Sequence, residues 1–229
     1  MPDAAAFGAV LAEPAVAHAL RLTALVALAT LAAHLLLGLV LGYALARPGW
    51  FGRGALDALV TLPLVFPPVA TGFVLLMLLG RRGPVGGWLA QWGVEVVFSF
   101  WGVLLASVVS GLPLAVKPVQ SALAAVSGRL AEAARVLGKR EWEIFLFVLL
   151  PNIRGALAAG LVLGLGRSLG EVGITLMLGG NVGGRTATVS LEIFNAVGGG
   201  EFERAAVLSV LLGAVALGLF ALLRRLGAL

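Results

Sequence analysis

Three uncharged, almost wholly apolar runs, at 22–46, 58–80 and 96–116, limit this chain more than any other feature. A membrane-crossing helix needs about 20 apolar residues to cover roughly 30 Å of hydrocarbon, and each run meets that length. A fourth run, 205–223, is shorter but uniformly apolar. A fifth, 144–166, is interrupted only by Arg154, close enough to one end for its side chain to reach the interface. The expected fold is therefore all-α and polytopic, with five to six spans.

Composition agrees. Only 12% of the 229 residues are charged and 60% are hydrophobic, whereas a water-soluble domain carries roughly a quarter charged residues. One membrane domain over 1–229 is the expected organisation. Without cysteine there is no disulfide framework or thiolate metal site, and two histidines, His18 and His34, do not make a histidine-rich one. The net charge of +5 places basic residues beside spans, where they fix orientation, rather than on a nucleic-acid-binding face. Asp3 and Glu13, with no basic start, give the first twenty residues no signal-peptide pattern.

With five spans, one side of the membrane carries Arg47, Arg53, Lys117, Arg129, Arg135, Lys139, Arg140, Arg154, Arg224 and Arg225. The other carries Arg81, Arg82, Arg185 and Arg204. The positive-inside rule makes the first side cytoplasmic, with the N-terminus outside and the C-terminus inside. The segment 167–204 breaks the apolar pattern with Gly170, Gly173, Gly179, Gly180, Gly183 and Gly184. Irregular backbone at membrane depth survives only where protein or a water-filled cavity covers it, so this segment is expected to line a path. Periodicity leaves a sixth crossing there open.

The longest cytoplasmic loop, 127–143, reads SGRLAEAARVLGKREWE. Ser127 can cap a helix start and Gly138 can end one. Leu130, Ala133, Ala134 and Leu137 fall three and four apart, on one predicted face. A second helix is expected from Glu141 toward Pro151. The pattern Glu132-Ala133-Ala134, Gly138, Leu150-Pro151 resembles the EAA loop of the membrane subunits of binding-protein-dependent ABC importers, with Val148 where that family has isoleucine. The resemblance implies a short coupling helix that docks on a separate ATPase, with Glu132, Ala133, Ala134, Arg135, Leu137 and Gly138 at the contact.

The similarity extends along the chain. Leu62-Pro63-Leu64-Val65-Phe66-Pro67-Pro68 resembles the LPLVLPP stretch of molybdate permeases, and Arg167-Ser168-Leu169-Gly170-Glu171-Val172-Gly173 their RSLGEFG. Asn181, Gly184, Arg185 and Thr186 fall on a GNIPGRT-like turn, with Gly183 replacing the proline. What this implies is a type I ABC importer permease for molybdate, with tungstate or sulfate as alternative oxyanions. The family resemblance also implies a homodimer, two copies of a cytoplasmic ATPase and a periplasmic or lipoprotein binding protein. No G-x-x-x-x-G-K-[ST] loop is present, so ATP and magnesium are expected on the partner and no cofactor, metal or catalytic residue on this chain.

The path residues expected from the irregular segment are Ser168, Gly170, Glu171, Gly173, Thr175, Asn181 and Thr186. A carboxylate repels an oxyanion, so Glu171 is expected to pair with Arg167, four residues earlier on the same face, rather than to bind substrate. The hydroxyls and amide suit either a passing anion or the local backbone. Pro63, Pro67 and Pro68 are expected to kink or bound the second span, and His34 to bond a neighbouring helix. Trp50, Trp88, Trp92 and Trp101 fall near span ends, as interfacial tryptophans do. Two other classes compete. An intramembrane enzyme needs paired catalytic groups at one depth, and the spans carry no Asp/Asp pair or HExxH. An ion-driven carrier needs two matching broken halves, and one such segment is visible.

Overall fold

The computed structural model describes residues 4–225, all of its regular elements there being helical. They are α1 (Ala4–Leu11), α2 (Pro14–Ala46), α3 (Arg53–Val65), α4 (Pro68–Leu79), α5 (Pro84–Ala90) and α6 (Phe100–Val136). After a turn come α7 (Glu141–Glu143), a π-helical stretch (Ile144–Leu149) and α8 (Leu150–Leu169), then α9 (Gly173–Gly179), α10 (Val189–Gly198) and α11 (Phe202–Arg225). Among the described residues, three helical stretches are long and apolar enough to cross a membrane unaided: Pro14–Ala46, Phe100–Val126 and Glu141–Leu169.

The centre is a three-helix seam of α2, α6 and α8. Small residues let these backbones approach closely, the usual device for helices that gain nothing from burying apolar surface away from lipid. A Cβ on Gly42 would lie 2.7 Å from Val119 Cγ1, and one on Gly111 would lie 2.2 Å from the Gly164 carbonyl oxygen. The contacts also fix direction. Val26 packs with Val103, Thr30 bonds Ser107, and Gly42 meets Val119, so α2 and α6 run parallel. Ile153 packs with Val119 and Leu123 whereas Ser168 reaches Ser107, so α8 runs the opposite way.

The second apolar run, 58–80, is not one helix. Pro67 and Pro68 supply no backbone N–H, and the helix stops at Val65 and restarts at Pro68, while Pro63 lies inside α3. The fourth pass is broken too: α8 ends at Leu169 and α9 starts at Gly173. The two breaks touch, since a Cβ on Gly173 would be 3.0 Å from Pro68 Cβ and 3.1 Å from the Val69 nitrogen. The segment left open by periodicity therefore divides. Residues 167–179 finish the fourth pass, where Phe98 N–H donates to the Leu178 carbonyl at 2.7 Å. α10, at ten residues, covers about 15 Å and is too short to cross. α11 then packs along α8, with Val207 and Leu208 in one cluster with Val16 of α2.

The bundle has two chemically distinct ends. At one, Arg47 and Arg135 pair with Glu141, Lys139 pairs with Glu143, and Arg53 donates to the Leu45 carbonyl. At the other, Arg204 gathers Glu13, Glu192 and Glu201, tying α2, α10 and α11 together, and Arg81 pairs with Glu95. The side chains of Arg129, Arg224 and Arg225 lie outside the described residues. Trp50, Trp88, Trp92 and Trp101 are all exposed.

Candidate functional site

The segment 127–143, expected to dock on an ATPase, differs from its expected form in two respects, its start and its buried face. No helix begins at Ser127. α6 continues unbroken from Phe100 to Val136, 37 residues or about 55 Å. That exceeds the roughly 30 Å of hydrocarbon, and its last third forms an arm packed along the π-helical stretch and the start of α8. A separate cap is unnecessary because the helix already exists when the sequence reaches Ser127; propagation adds a bond per residue, whereas a fresh start needs a costly nucleus.

The arm ends where Gly138 was expected to end it. Gly138 sits at φ +75°, its N–H donates to the Arg135 carbonyl at 2.9 Å, and Lys139 N–H donates to the Ala134 carbonyl at 3.1 Å. Those two bonds with a left-handed residue between them form a Schellman stop. The chain then reverses into α7, where the Glu143 carboxylate accepts from the Arg140 N–H at 2.8 Å.

The expected apolar face of the arm is divided. Ala131 and Ala134 are buried against Leu123, Ile144, Leu149 and Ile153. Leu130, Ala133 and Leu137 point away from the bundle, with Val136 87% and Leu137 79% exposed. Ala131 rather than Ala133 joins Ala134 inside, because the three-residue spacing of 131 and 134 matches the flank that faces the start of α8. What remains outside is an apolar tip carrying the exposed Glu132 carboxylate beside it.

Electrostatics hold the corner. Glu141 accepts from Arg135 Nε at 2.6 Å and from Arg47 at 3.1 Å, joining the arm, the α7 turn and the end of α2. The Arg47 guanidinium also stacks 4.3 Å over the Tyr43 ring. These groups are about half exposed, so each pair contributes little stability, about 0–1 kcal/mol. Their role is to set the angle of the tip. Glu141, Arg47 and Tyr43 had no visible signal in the sequence, because Arg47 and Glu141 are 94 residues apart.

At mid-bundle the structure assembles a buried polar seam. Thr30 donates to Ser107 Oγ at 2.9 Å, His34 Nε2 lies 3.0 Å from the Val108 carbonyl, and Ser168 Oγ donates to the Ser107 carbonyl at 2.5 Å. His34 thus bonds a neighbouring helix, as expected. Glu171 is buried, pairs with Arg167 at 3.0 Å, and accepts from the Ile174 N–H at 2.7 Å, capping α9. Ser168, Glu171 and Thr175 line one small polar cavity of about 20 Å³ with Thr23, Ser107 and Thr188.

The other expected path residues serve different ends. Gly170 is exposed beside the break, and Gly173 packs on Pro68. Thr186 is buried, donates to the Gly179 carbonyl at 2.7 Å and accepts from the Val182 N–H at 2.9 Å, closing the glycine-rich turn on itself. Asn181, at φ +51°, exchanges side-chain bonds with Asn195 at 2.6 and 3.2 Å. Thr186 and Asn181 therefore satisfy local structure and are not brought together with Ser168 and Glu171. Thr30, Ser107 and His34, which the sequence reading had not grouped with the path, are part of the same seam as Ser168.

Residues 34–227, which take in both breaks, the Gly138 corner and the whole of the seam except Thr30, match the model of the binding-protein-dependent transport system inner membrane component. The chain belongs to that family. It is an ABC importer permease subunit. Its relatives include the molybdenum transport system permease protein ModB of Haemophilus influenzae, 36% identical over 77% of this chain and 78% of that protein. ModB of Azotobacter vinelandii is 37% identical over 82% of this chain and 83% of its own. The sulfate transport system permease protein CysW of Escherichia coli is 34% identical over 88% of this chain and 70% of its own. Among solved structures, a bacterial ABC transporter that imports the polysaccharide alginate has the same fold, with a TM-score of 0.78 at 20% identity over 98% of this chain and 83% of that one.

Proposed function

We propose that this permease carries molybdate inward across a cytoplasmic membrane, as a homodimer with two copies of a separate ATPase and an external binding protein. The observation that carries the coupling half of this reading is the corner at Gly138: an apolar tip with an exposed carboxylate, Glu132, held at a fixed angle on an arm rooted in the core. Such a tip delivers a push from outside the membrane to α6, and α6 carries it to the seam and to the paired breaks. Closure of the ATPases on ATP draws the two arms together and opens the path outward; hydrolysis lets it relax inward. ATP and magnesium belong to the partner.

In this arrangement the Glu141 end is cytoplasmic and the Arg204 end external, which places the N-terminus outside and the C-terminus inside across five spans. The basic residues at the Glu141 end support that sense. Molybdate is preferred because the proline stretch and the 167–173 motif match molybdate permeases. Sulfate is the second reading, favoured by the resemblance to CysW over a larger share of the chain.

Uptake of labelled molybdate by cells lacking their own importer tests both, with this chain, its ATPase and its binding protein expressed together. ATPase-dependent uptake blocked by tungstate but not by sulfate is the expected outcome. Competition by sulfate moves the assignment to sulfate, and uptake that ignores the ATPase removes the coupling argument.

A further inference from the structure

We propose that Arg167 is an anion-contact residue of the translocation path, and that Glu171 is the counter-charge that keeps the contact weak enough to release. This deepens the reading above and rests on it. The two partners of the ion pair are unequally placed: the Glu171 side chain is 2% exposed and that of Arg167 36%. Glu171 is also immobilised from both sides, one carboxylate oxygen on Arg167 and the other on the Ile174 N–H. The guanidinium has five N–H donors in a planar fork, and its bond to Glu171 uses NH1. The rest of the fork is available on the exposed side.

That side is not the face packed against α11. Leu165 and Leu169 line the apolar groove shared with α2 and α11. Leu163, Arg167 and Gly170, spaced four and three apart, lie on the other flank, and Leu163 and Gly170 are exposed there with it. Arg167 precedes Ser168, which sits at the level of Ser107, seven residues or about 10 Å below the start of α6. A guanidinium at such depth is too costly to face lipid and marks a water-filled path or a protein partner. The flank also adjoins the break between α8 and α9, where the chain bends.

A tetrahedral dianion suits this fork, since guanidinium groups bind oxyanions through paired N–H bonds. Alone, the fork would hold a dianion too firmly for transport, which needs binding weak enough to leave. A fixed carboxylate 3.0 Å from the guanidinium offsets part of that attraction. The arrangement gives a transient station rather than a high-affinity site, and it gives the carboxylate a role in an anion path.

The test uses the permease with its ATPase and binding protein in proteoliposomes. It compares Arg167→Gln, Arg167→Lys, Glu171→Gln and the double variant Arg167→Gln/Glu171→Gln. Uptake of labelled molybdate is read alongside retention of molybdate by the purified permease–ATPase complex in equilibrium dialysis. Arg167→Gln is expected to lower uptake at least tenfold, with Arg167→Lys keeping part of it as a point charge. Glu171→Gln is expected to raise retention about tenfold while slowing uptake. The double variant removes the uncompensated buried carboxylate, so its melting temperature returns toward wild type while uptake stays lost.

Restored uptake in the double variant would show the pair to be purely structural and overturn the proposal, as would unchanged retention in Glu171→Gln. A wild type that moves sulfate instead of molybdate corrects the substrate, and the same variants are then read with sulfate. A wild type that moves no oxyanion overturns the functional reading and this proposal with it.

Discussion

Replacing Gly138 separates backbone geometry from side-chain contact at the corner proposed to meet the ATPase. Its φ of +75° lies in the left-handed region, and no heavy atom comes within 4 Å of where a Cβ would sit. A larger residue therefore meets no steric obstacle within this chain, and the cost is the dihedral alone. For an L-residue that is about 1–2 kcal/mol, with valine toward the upper end because of its branched Cβ and asparagine toward the lower. At about 1.4 kcal/mol per tenfold, valine shifts the population of the correctly angled corner by about tenfold and asparagine by a few-fold. The assay is binding-protein-stimulated ATP hydrolysis and uptake in proteoliposomes, with co-purification of the ATPase as a control for assembly. Gly138→Val should lose at least about tenfold in stimulated uptake, and Gly138→Asn should stay within about fivefold of wild type. Valine equal to wild type would refute the claim that the left-handed turn sets the coupling geometry. Asparagine as inactive as valine would place a tight partner contact on Gly138 itself and discard the dihedral argument.

Three further outcomes follow from the same geometry. Glu132→Lys reverses an exposed charge at the tip without touching the core, so the permease should insert and dimerise normally while ATPase association in pull-downs falls at least tenfold; undiminished association would remove Glu132 from the contact. Gly111→Ala forces a Cβ to 2.2 Å from the Gly164 carbonyl and 2.5 Å from Ser168 Oγ, and overpacking of this kind costs about 1–3 kcal/mol or more. A clear drop in melting temperature in detergent is expected, and an unchanged one would mean that α6 and α8 can part cheaply. Thr186→Val keeps the shape but strands the Val182 N–H and the Gly179 carbonyl, at about 1–3 kcal/mol. It should lower thermal stability and leave the oxyanion preference unchanged, whereas a changed preference would place Thr186 in the path.

Sequence alone reached the all-α polytopic fold, the turn at Gly138, the Arg167–Glu171 pair and the break at Pro67–Pro68. Each rests on local physics: the length of an apolar run, a four-residue spacing on one helix, a missing N–H, or a position that favours glycine. It misplaced the start of the helix that leads to Gly138, because a cap residue such as Ser127 has no effect inside a helix already propagating from Phe100. It also put Ala133 and Ala134 on one working face, where packing against α8 buries Ala134 with Ala131. Which face of the arm turns inward depends on a neighbour that the local pattern does not contain.

The remaining features belong to tertiary structure. Thr30, His34, Ser107 and Ser168 form one seam only because glycines let α2, α6 and α8 approach closely. The anchor of the corner joins Arg47 to Glu141 across 94 residues. The two broken passes support each other through Gly173 on Pro68, a contact between residues more than a hundred positions apart. Apolar runs, caps and breakers act over a few residues and can be read in order along the chain. The meeting of two breaks, and the depth at which one arginine is left half exposed, arise from the packing of whole helices, which no local window records.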